Sequence, residues 1–438
     1  MKRFLISILL CAAFVSSTFA QQESWSLEEC IGYAHKNNLQ IKQQEIAVKQ
    51  AENNVRQSKL DFIPSFNASA NHNFNWGKSV NINDLEIVNQ LTQSTSANIS
   101  ASAPIIDGLT KQNSVRSYKT QLLITLQDVE KLKNEISIAI TQAYLQILLS
   151  KEIEKCAQES FNSVEAQVNK TRILVDAGSQ PYSSLLDIQA QLATERVQLV
   201  TAKNDVRTNT LTLVQLMDLP AGTQFEIEAP ATEIISGAYL SDDITAIYQK
   251  ATSLPQIRSA ELQLEKSRYD YKVAKGHLFP SITFSAGYGT YYSDTQQAAF
   301  FTQFNENRNP SLGFGLSIPI FNGWRTSTSV KNARLAIKNA EIELKNRYSS
   351  LYKDIQQAHT NAANSFEKYQ AAKQNMAASK ESFDYTEKKF NAGVVNGTDY
   401  TVAKANLFKA QSEFYQTIFQ YLFQLKILDF YSGVPIKL

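Results

Sequence analysis

The side chains that most often carry catalysis or bind metals are few and scattered in this 438-residue sequence. Its 4 histidines lie far apart, without the spacing that is typical of a metal site. The sequence contains no nucleophile-elbow, phosphate-loop, zinc-protease or dinucleotide-binding motif. Beyond residue 20 the cysteines are Cys30 and Cys156, which belong to no CxxC pair or Cys/His cluster. We therefore predict no enzyme, no cofactor and no metal, and two free, packed thiols.

The N-terminal residues predict export. Residues 1–20 combine a basic start at Lys2 and Arg3, a short apolar stretch, and small residues that end at Ala20. That stretch is shorter than the roughly 20 apolar residues that a membrane-spanning helix needs. Loss of Lys2 and Arg3 reduces the 43 basic residues to 41, which balances the 41 acidic residues. This balance predicts no binding to nucleic acid.

The sequence is internally duplicated, with one near-constant offset of about 215 residues between matching landmarks. This period is far longer than the roughly 20–50 residues of a solenoid repeat, so it predicts two copies of one large unit. We place the first copy at residues 21–220, the connector at 221–240 and the second copy at 241–438. The matching segments are Ala103–Gly108 with Ile318–Gly323, Ala177-Gly178 with Ala392-Gly393, and Leu219-Pro220 with Val434-Pro435.

Each copy contains two stretches in which apolar and small polar residues alternate, as in a strand with two different faces. We predict strand pairs over about residues 64–107 and 280–321, with outer-surface loops at 77–94 and 293–309. The stretches match the roughly 9–11 residues of a tilted membrane strand, and strands or helices are the only structures that span membranes. Aromatic residues near the strand ends predict an interfacial girdle. Its candidates are Phe74, Trp76, Tyr288, Tyr292, Phe321 and Trp324.

The remainder of each copy predicts long helices, because apolar residues recur every seven positions. Long helical hairpins are expected over about residues 111–219 and 325–432, and shorter helices over 27–60 and 241–276. Residues 111–175 alone would extend roughly 98 Å at 1.5 Å per residue, much more than a bilayer. The helices must therefore project from the membrane.

The ends of these helices carry their own signals. Gly178 and Gly393 are expected to end the long helices as left-handed C′ residues. The returning helices are expected to begin at an N-cap, which would be Ser183 or Ser184 in the first copy. In the second copy the N-cap would be Thr398 or Asp399.

The strand count predicts an assembly. About eight strands give a barrel whose interior is filled by side chains, and a water channel needs more. Two chains of four strands would supply eight, whereas three would supply 12, in the cyclic symmetry usual for homo-oligomers. The predicted fold class is thus an α+β membrane protein, with a trimeric, 12-stranded barrel and a coiled-coil helical extension. A soluble sandwich is the alternative, but four strands between such long helices make a poor soluble core.

Three motifs resemble the TolC-type outer-membrane efflux family: the Pro-Ser strand entries, the strand exit Pro319–Trp324 and the Ala-Gly helix tips. The resemblance covers nearly the whole mature chain. It implies a homotrimeric exit duct, with a β-barrel in outer-membrane lipid and a helical barrel across the periplasm. It also implies a periplasmic adaptor (membrane fusion) protein and an inner-membrane transporter, of RND or ABC type. The adaptor would contact the tips at Gly178 and Gly393.

The same resemblance implies an acidic constriction near the second tip. Asp399 matches the first acidic position of the family, six residues past Gly393, whereas Val402 stands at the second. In the first copy Asp187 is equivalent to Val402. Asp399 could instead be a simple N-cap, and Asp187 a solvated helix residue.

Two further positions bear on the gate that the family uses. Phe390 matches its gate aromatic, although this residue could equally belong to the helical core. Val395 stands where the family has a gate arginine.

The main functional alternative to a duct is a periplasm-spanning coiled-coil tether without transport. A tether accounts for the heptads, but not for the alternating strands, the export signal or the duplication.

Overall fold

A computed structural model describes residues 24–80, 86–220, 222–223, 225–228 and 243–438. The predicted signal segment and most of the predicted connector lie outside these ranges. In the first copy the elements are α1 (Leu27–Asn37), α2 (Leu39–Leu60), β1 (Ser65–Val80), β2 (Ile87–Ile106), α3 (Thr110–Asp176) and α4 (Tyr182–Leu216). In the second copy they are α5 (Ile244–Ala251), α6 (Pro255–Gly276), β3 (Ser281–Ser293), α7 (Phe300–Glu306), β4 (Asn309–Ser317), α8 (Arg325–Asn391) and α9 (Gly397–Tyr431).

The backbone confirms the duplication. Helices α3 and α8 both contain 67 residues, and α4 and α9 both contain 35. Left-handed residues recur at matching places, Gly108 and Leu109 in the first copy and Gly323 and Trp324 in the second. Because leucine and tryptophan rarely adopt positive φ, this agreement reflects a shared backbone path rather than shared side chains.

The chain divides into two compact bodies. Among the described residues, the helical body comprises those up to Glu45, those between Val129 and Pro255, and Tyr348–Leu438. Its largest apolar cluster buries the heptad positions Ile136, Ile140 and Ala143, as coiled-coil packing requires. In the described part of the chain, no helix is both long and apolar enough to cross a membrane.

The second body, Ile46–Asp128 and Gln256–Arg347, contains one antiparallel sheet in the order β1-β2-β3-β4. Its register separates two faces, as the alternation predicted. The apolar face aligns Phe66, Ala101, Ala286 and Leu312 on successive strands. The polar face aligns Asn67, Ser100, Gly287 and Ser311.

Both predicted surface loops need correction. Most of residues 77–94 is strand, because β1 and β2 stay paired from Gly77↔Gln90 to Val80↔Ile87. Residues 293–309 contain the short helix α7. There the buried Gln303 amide donates to the Ala298 carbonyl at 2.7 Å, and its oxygen accepts from the Ser293 N–H at 2.9 Å. Neither segment has the strict apolar alternation of the other strand segments, so no sequence pattern indicated either feature.

A close backbone approach joins the sheet to its helices. Gly108 lies between β2 and α3, and a side chain there would clash with the carbonyl oxygen of Gly276, the last residue of α6. Gly276 is equally tight, since a Cβ on it would collide with Thr110. The absence of side chains therefore permits this junction.

The duplication supplies a matched pair of variants for this junction. Gly323 shares the left-handed conformation of Gly108, but nothing lies within 4 Å of its Cβ position. We expect Gly323→Ala to cost about 1 kcal/mol, through left-handed strain alone. Gly108→Ala should cost about 2 kcal/mol more, because neighbouring backbone must also move. Thermal denaturation of the purified variants measures both losses, and equal losses would contradict the close approach.

Candidate functional site

The two long helices end in the same hydrogen-bonded motif. Gly178 has φ 73° and its N–H donates to the Val175 carbonyl at 2.9 Å, while the Ser179 N–H donates to Leu174 at 2.8 Å. Gly393 has φ 73° and repeats both bonds with its own neighbours. This is the Schellman arrangement, so the predicted helix ends at both glycines are confirmed.

The N-caps of the returning helices differ from the sequence-based assignment. Helix α4 begins after Pro181, which makes no side-chain cap, rather than at Ser183 or Ser184. Helix α9 begins after Asn396, whose side-chain oxygen accepts from the Asp399 N–H at 2.9 Å. Both helices begin two or three residues earlier than expected, because Pro181 precedes the first turn of α4 and Asn396 caps α9.

This geometry leaves the Asp399 side chain without a capping role. Asp399 lies in the first turn of α9 and is exposed. A carboxylate there is favoured by the helix dipole. Asp187 approaches the same turn: a Cβ on Gly397, the first residue of α9, would lie 3.5 Å from the Asp187 Cβ. The structure thus places both candidate acids near the first turn of α9, Asp399 within it and Asp187 beside it on α4.

Phe390 does not share this exposed position. It is only 2% exposed, and its ring centre lies 5.0 Å from that of the fully buried Tyr400. Phe383 packs against the same tyrosine at 5.5 Å. Phe390 therefore belongs to the apolar core below the tip. Val395 is half-buried against this cluster, where an arginine would have to leave its charge among apolar groups.

Sequence reasoning missed a buried charged cluster in the helical body. Lys404 on α9 is 8% exposed, and its Nζ lies 4.7 Å from the centre of the Phe383 ring. Glu195 on α4 is 2% exposed and accepts from the Gln191 side chain at 2.6 Å. The heptad pattern could have indicated these two buried residues, because Lys404 and Glu195 occupy positions in otherwise apolar rows.

Charges from three other helices act on Lys404. Burial lowers the pKa of Lys404, because the charged ammonium loses its hydration. The carboxylates of Glu195, Glu387 and Glu159 oppose this effect and favour the charged form. These residues come from α4, α8 and α3, so one lysine links electrostatically to every other long helix.

The two cysteines are packed rather than reactive. Cys30 and Cys156 are both free and buried, as predicted. Burial raises the pKa of Cys30 to about 12 and that of Cys156 to about 11, so the reactive thiolate is scarce at neutral pH. Among the described residues, no group of three or more His, Cys, Asp or Glu could hold a metal ion.

Four of the six girdle candidates lie on the strands, and the other two follow the last strand. Phe74 and Trp76 stack on β1 with their ring centres 6.4 Å apart, and Trp76 is 77% exposed. Tyr288 and Tyr292 lie on the apolar face of β3. Phe321 and Trp324 fall beyond β4, which ends at Ser317 rather than at the predicted residue 321. Large exposed aromatic groups on a sheet are typical of a membrane interface.

A sheet with one apolar and one small polar face, joined to two matching pairs of long helices, defines a channel-forming outer-membrane protein. The chain belongs to the outer membrane efflux protein family, whose sequence model matches residues 30–218 and 246–433. It is the outer-membrane exit duct of a tripartite efflux or type I secretion system, with a periplasmic helical extension. Members of this family are channels, which favours the duct over the tether.

Individual relatives agree with this assignment. The chain is 22% identical to the outer membrane efflux protein BepC of Brucella suis over 77% of this chain and 69% of that protein. It is also 22% identical to outer membrane protein TolC of Escherichia coli, over 96% of this chain and 84% of TolC. The fold is similar to the Campylobacter jejuni CmeC outer membrane channel, with a TM-score of 0.76 at 17% identity, covering 96% and 91% of the two chains.

The charged cluster can be tested by a double-mutant cycle. Lys404→Met should lower the free energy of unfolding by about 1 kcal/mol, because it removes a cation whose charge acts on the buried Glu195 carboxylate. Adding Glu195→Gln should recover much of this loss, since no unpaired charge then remains. Lys409→Met, at an exposed position of the same helix, should change stability by less than about 0.5 kcal/mol. Strictly additive losses in the double variant, measured by chemical denaturation, would show that the two groups do not interact.

Proposed function

We propose that three copies of this chain close a 12-stranded barrel in the outer membrane and form one continuous exit duct. The open edges of the sheet carry this proposal. Among the described residues β1 pairs only with β2, and β4 pairs only with β3. In lipid, the backbone groups on such edges need partners. Strand β4 of one chain can pair with β1 of the next, and three chains are the fewest that leave an open bore.

Exposed apolar side chains on the helices support the same assembly. Leu335 and Ile342 lie seven residues apart on α8 and are 60% and 58% exposed in a single chain. Leu123 and Leu126 on α3 are 48% and 41% exposed. Heptad spacing of exposed apolar groups is what a neighbouring helix covers. Other copies of the chain would bury these side chains in the periplasmic part of the duct.

The helical tips are the proposed docking points for the partners. Gly178 and Gly393 are exposed, and the apolar Ile173 and Val394 beside them are 68% and 71% exposed. Exposed apolar groups at a loop tip fit contact with another protein. The partner there would be a periplasmic adaptor, which connects the duct to an inner-membrane transporter of RND or ABC type. The aromatic girdle on the sheet would contact outer-membrane lipid.

Paired cysteines on the two edge strands test the trimer. Ser69→Cys on β1 and Gly313→Cys on β4 lie at opposite edges of one chain, so a short bis-maleimide should link neighbouring chains. We expect a ladder that ends at three chains. The control pair, Ser69→Cys with Asn98→Cys, lies on partnered positions of β1 and β2 and should link only within one chain. A ladder that ends at two chains, or that continues beyond three, would contradict the proposed barrel.

We further propose that Asp399 forms a ring of carboxylates at the narrow end, because it is exposed beside a helical tip. Three copies around a threefold axis would favour cations. Asp187, which packs beside the first turn of α9, would add negative charge near this ring. Phe390 would support the ring from the core without facing the pore.

Two variants separate the charge of Asp399 from the cap of its helix. Asp399→Asn should reduce the cation preference of purified channels in planar bilayers and weaken block by multivalent cations from the periplasmic side. Asn396→Ala should keep both properties but destabilise α9 by about 1 kcal/mol, since it removes the cap and keeps the charge. Wild-type selectivity and block in Asp399→Asn would remove Asp399 from the filter.

A further inference from the structure

The four strands carry almost no charge. Lys78 is the only residue in them with a formal charge at neutral pH. Lys78 pairs with Asn89. This pair lies in the part of the β1–β2 hairpin that extends past β3, whose pairing with β2 ends at Ser94↔Ser293. By alternation Lys78 shares the face of Trp76, which is the apolar one. The polar face of the sheet therefore carries no fixed charge at any described strand position.

The side chains on the polar face are also short, so they project little from the sheet. Cross-strand partners on β3 and β4 combine one glycine with one serine, Ser285↔Gly313 and Gly287↔Ser311. The Ser285 hydroxyl donates to the Gly313 carbonyl at 3.4 Å, and the Ser311 hydroxyl to the Gly287 carbonyl at 3.5 Å. A Cβ on Gly287 would lie 2.8 Å from the Ser311 Oγ. Each serine thus lies along the sheet, over the position where its partner lacks a side chain.

The same arrangement continues between β2 and β3. Asn98 pairs with Gly289, and a Cβ on that glycine would lie 3.3 Å from the Asn98 Oδ1. Ser100 pairs with Gly287. Short hydroxyl and amide groups therefore cover the glycines of the neighbouring strand. A barrel with this face inward would have a wide bore with hydrogen-bonding but uncharged walls.

We propose that the barrel is a charge-indifferent exit, which passes hydrophilic solutes of either sign or of no charge, so that any charge selection occurs in the helical part. This inference rests on the proposed trimeric barrel. A pore lined by one sign of charge develops potentials of several kT, which concentrate one sign of solute and exclude the other. Walls of serine, asparagine and glycine produce neither effect. The cargo class that fits them is hydrophilic and without a required net charge.

Substituted cysteines measure the potential at the wall directly. Ser100→Cys and Asn71→Cys place thiols on the polar face of β2 and β1. Each full-length trimer is treated with two methanethiosulfonates of similar size, one cationic and one anionic, and their rates are divided by those for a small thiol in solution. Because the reagents carry opposite unit charges, a wall potential of one kT would change the rate ratio about sevenfold.

We expect ratios within about twofold of the solution value at both positions, as an uncharged wall requires. Ala101→Cys is the control, because residue 101 lies on the apolar face, next to the polar-face position 100, and should react with neither reagent. The native Cys30 and Cys156 are buried and contribute little background. Two results would overturn the proposal: a ratio about sevenfold or more from the solution value, or reaction at residue 101 without reaction at residue 100. Failure of the trimer itself appears separately, in the cross-linking ladder.

Discussion

Backbone hydrogen bonding at the edges of the sheet is the constraint on which the rest of the molecule depends. Four antiparallel strands leave β1 and β4 with one open side each. Hydrocarbon offers no water to satisfy those groups, so an isolated chain is incomplete in a membrane. In the proposed assembly, closure by further copies would fix the symmetry, and that symmetry would place every helix beside equivalent helices. The exposed apolar positions on α3 and α8 are consistent with this requirement.

Much of the fold follows from periodicity in the sequence. Alternation located the strands, heptads located the long helices, and the offset between copies allowed each half to check the other. Features that depend on pairing rather than on pattern were missed. The parts of β1 and β2 next to their connection lack strict alternation, and they form strand because each supplies backbone partners for the other. The Gln303 network likewise depends on one buried amide that no local pattern marks.

The candidate site was less predictable, because burial depends on several helices at once. The tip glycines could be read locally, since a left-handed C′ residue has a sequence preference. Phe390 could not, because its burial comes from Tyr400 on another helix. Lys404 is a partial exception: its heptad position could have indicated burial, but the acidic residues that act on it lie on three other helices, and no spacing along α9 reveals them. A resemblance to a family indicates which positions correspond to its functional residues. Only the packing of the helices shows which of those side chains are exposed.

The equal lengths of α3 and α8, and of α4 and α9, have a consequence for how this chain can evolve. Deleting one residue from a helix rotates everything beyond the deletion by about 100° and shortens it by about 1.5 Å. The apolar heptad positions beyond the deletion would then no longer face the neighbouring helix. The shortened helical hairpin would also end before the other one. Neither copy can therefore change the length of its long helices by itself without disrupting this packing. Insertions and deletions should be accepted in multiples of seven residues and in both copies together. The lengths of the long helices in the two halves of the chain should therefore change together during evolution.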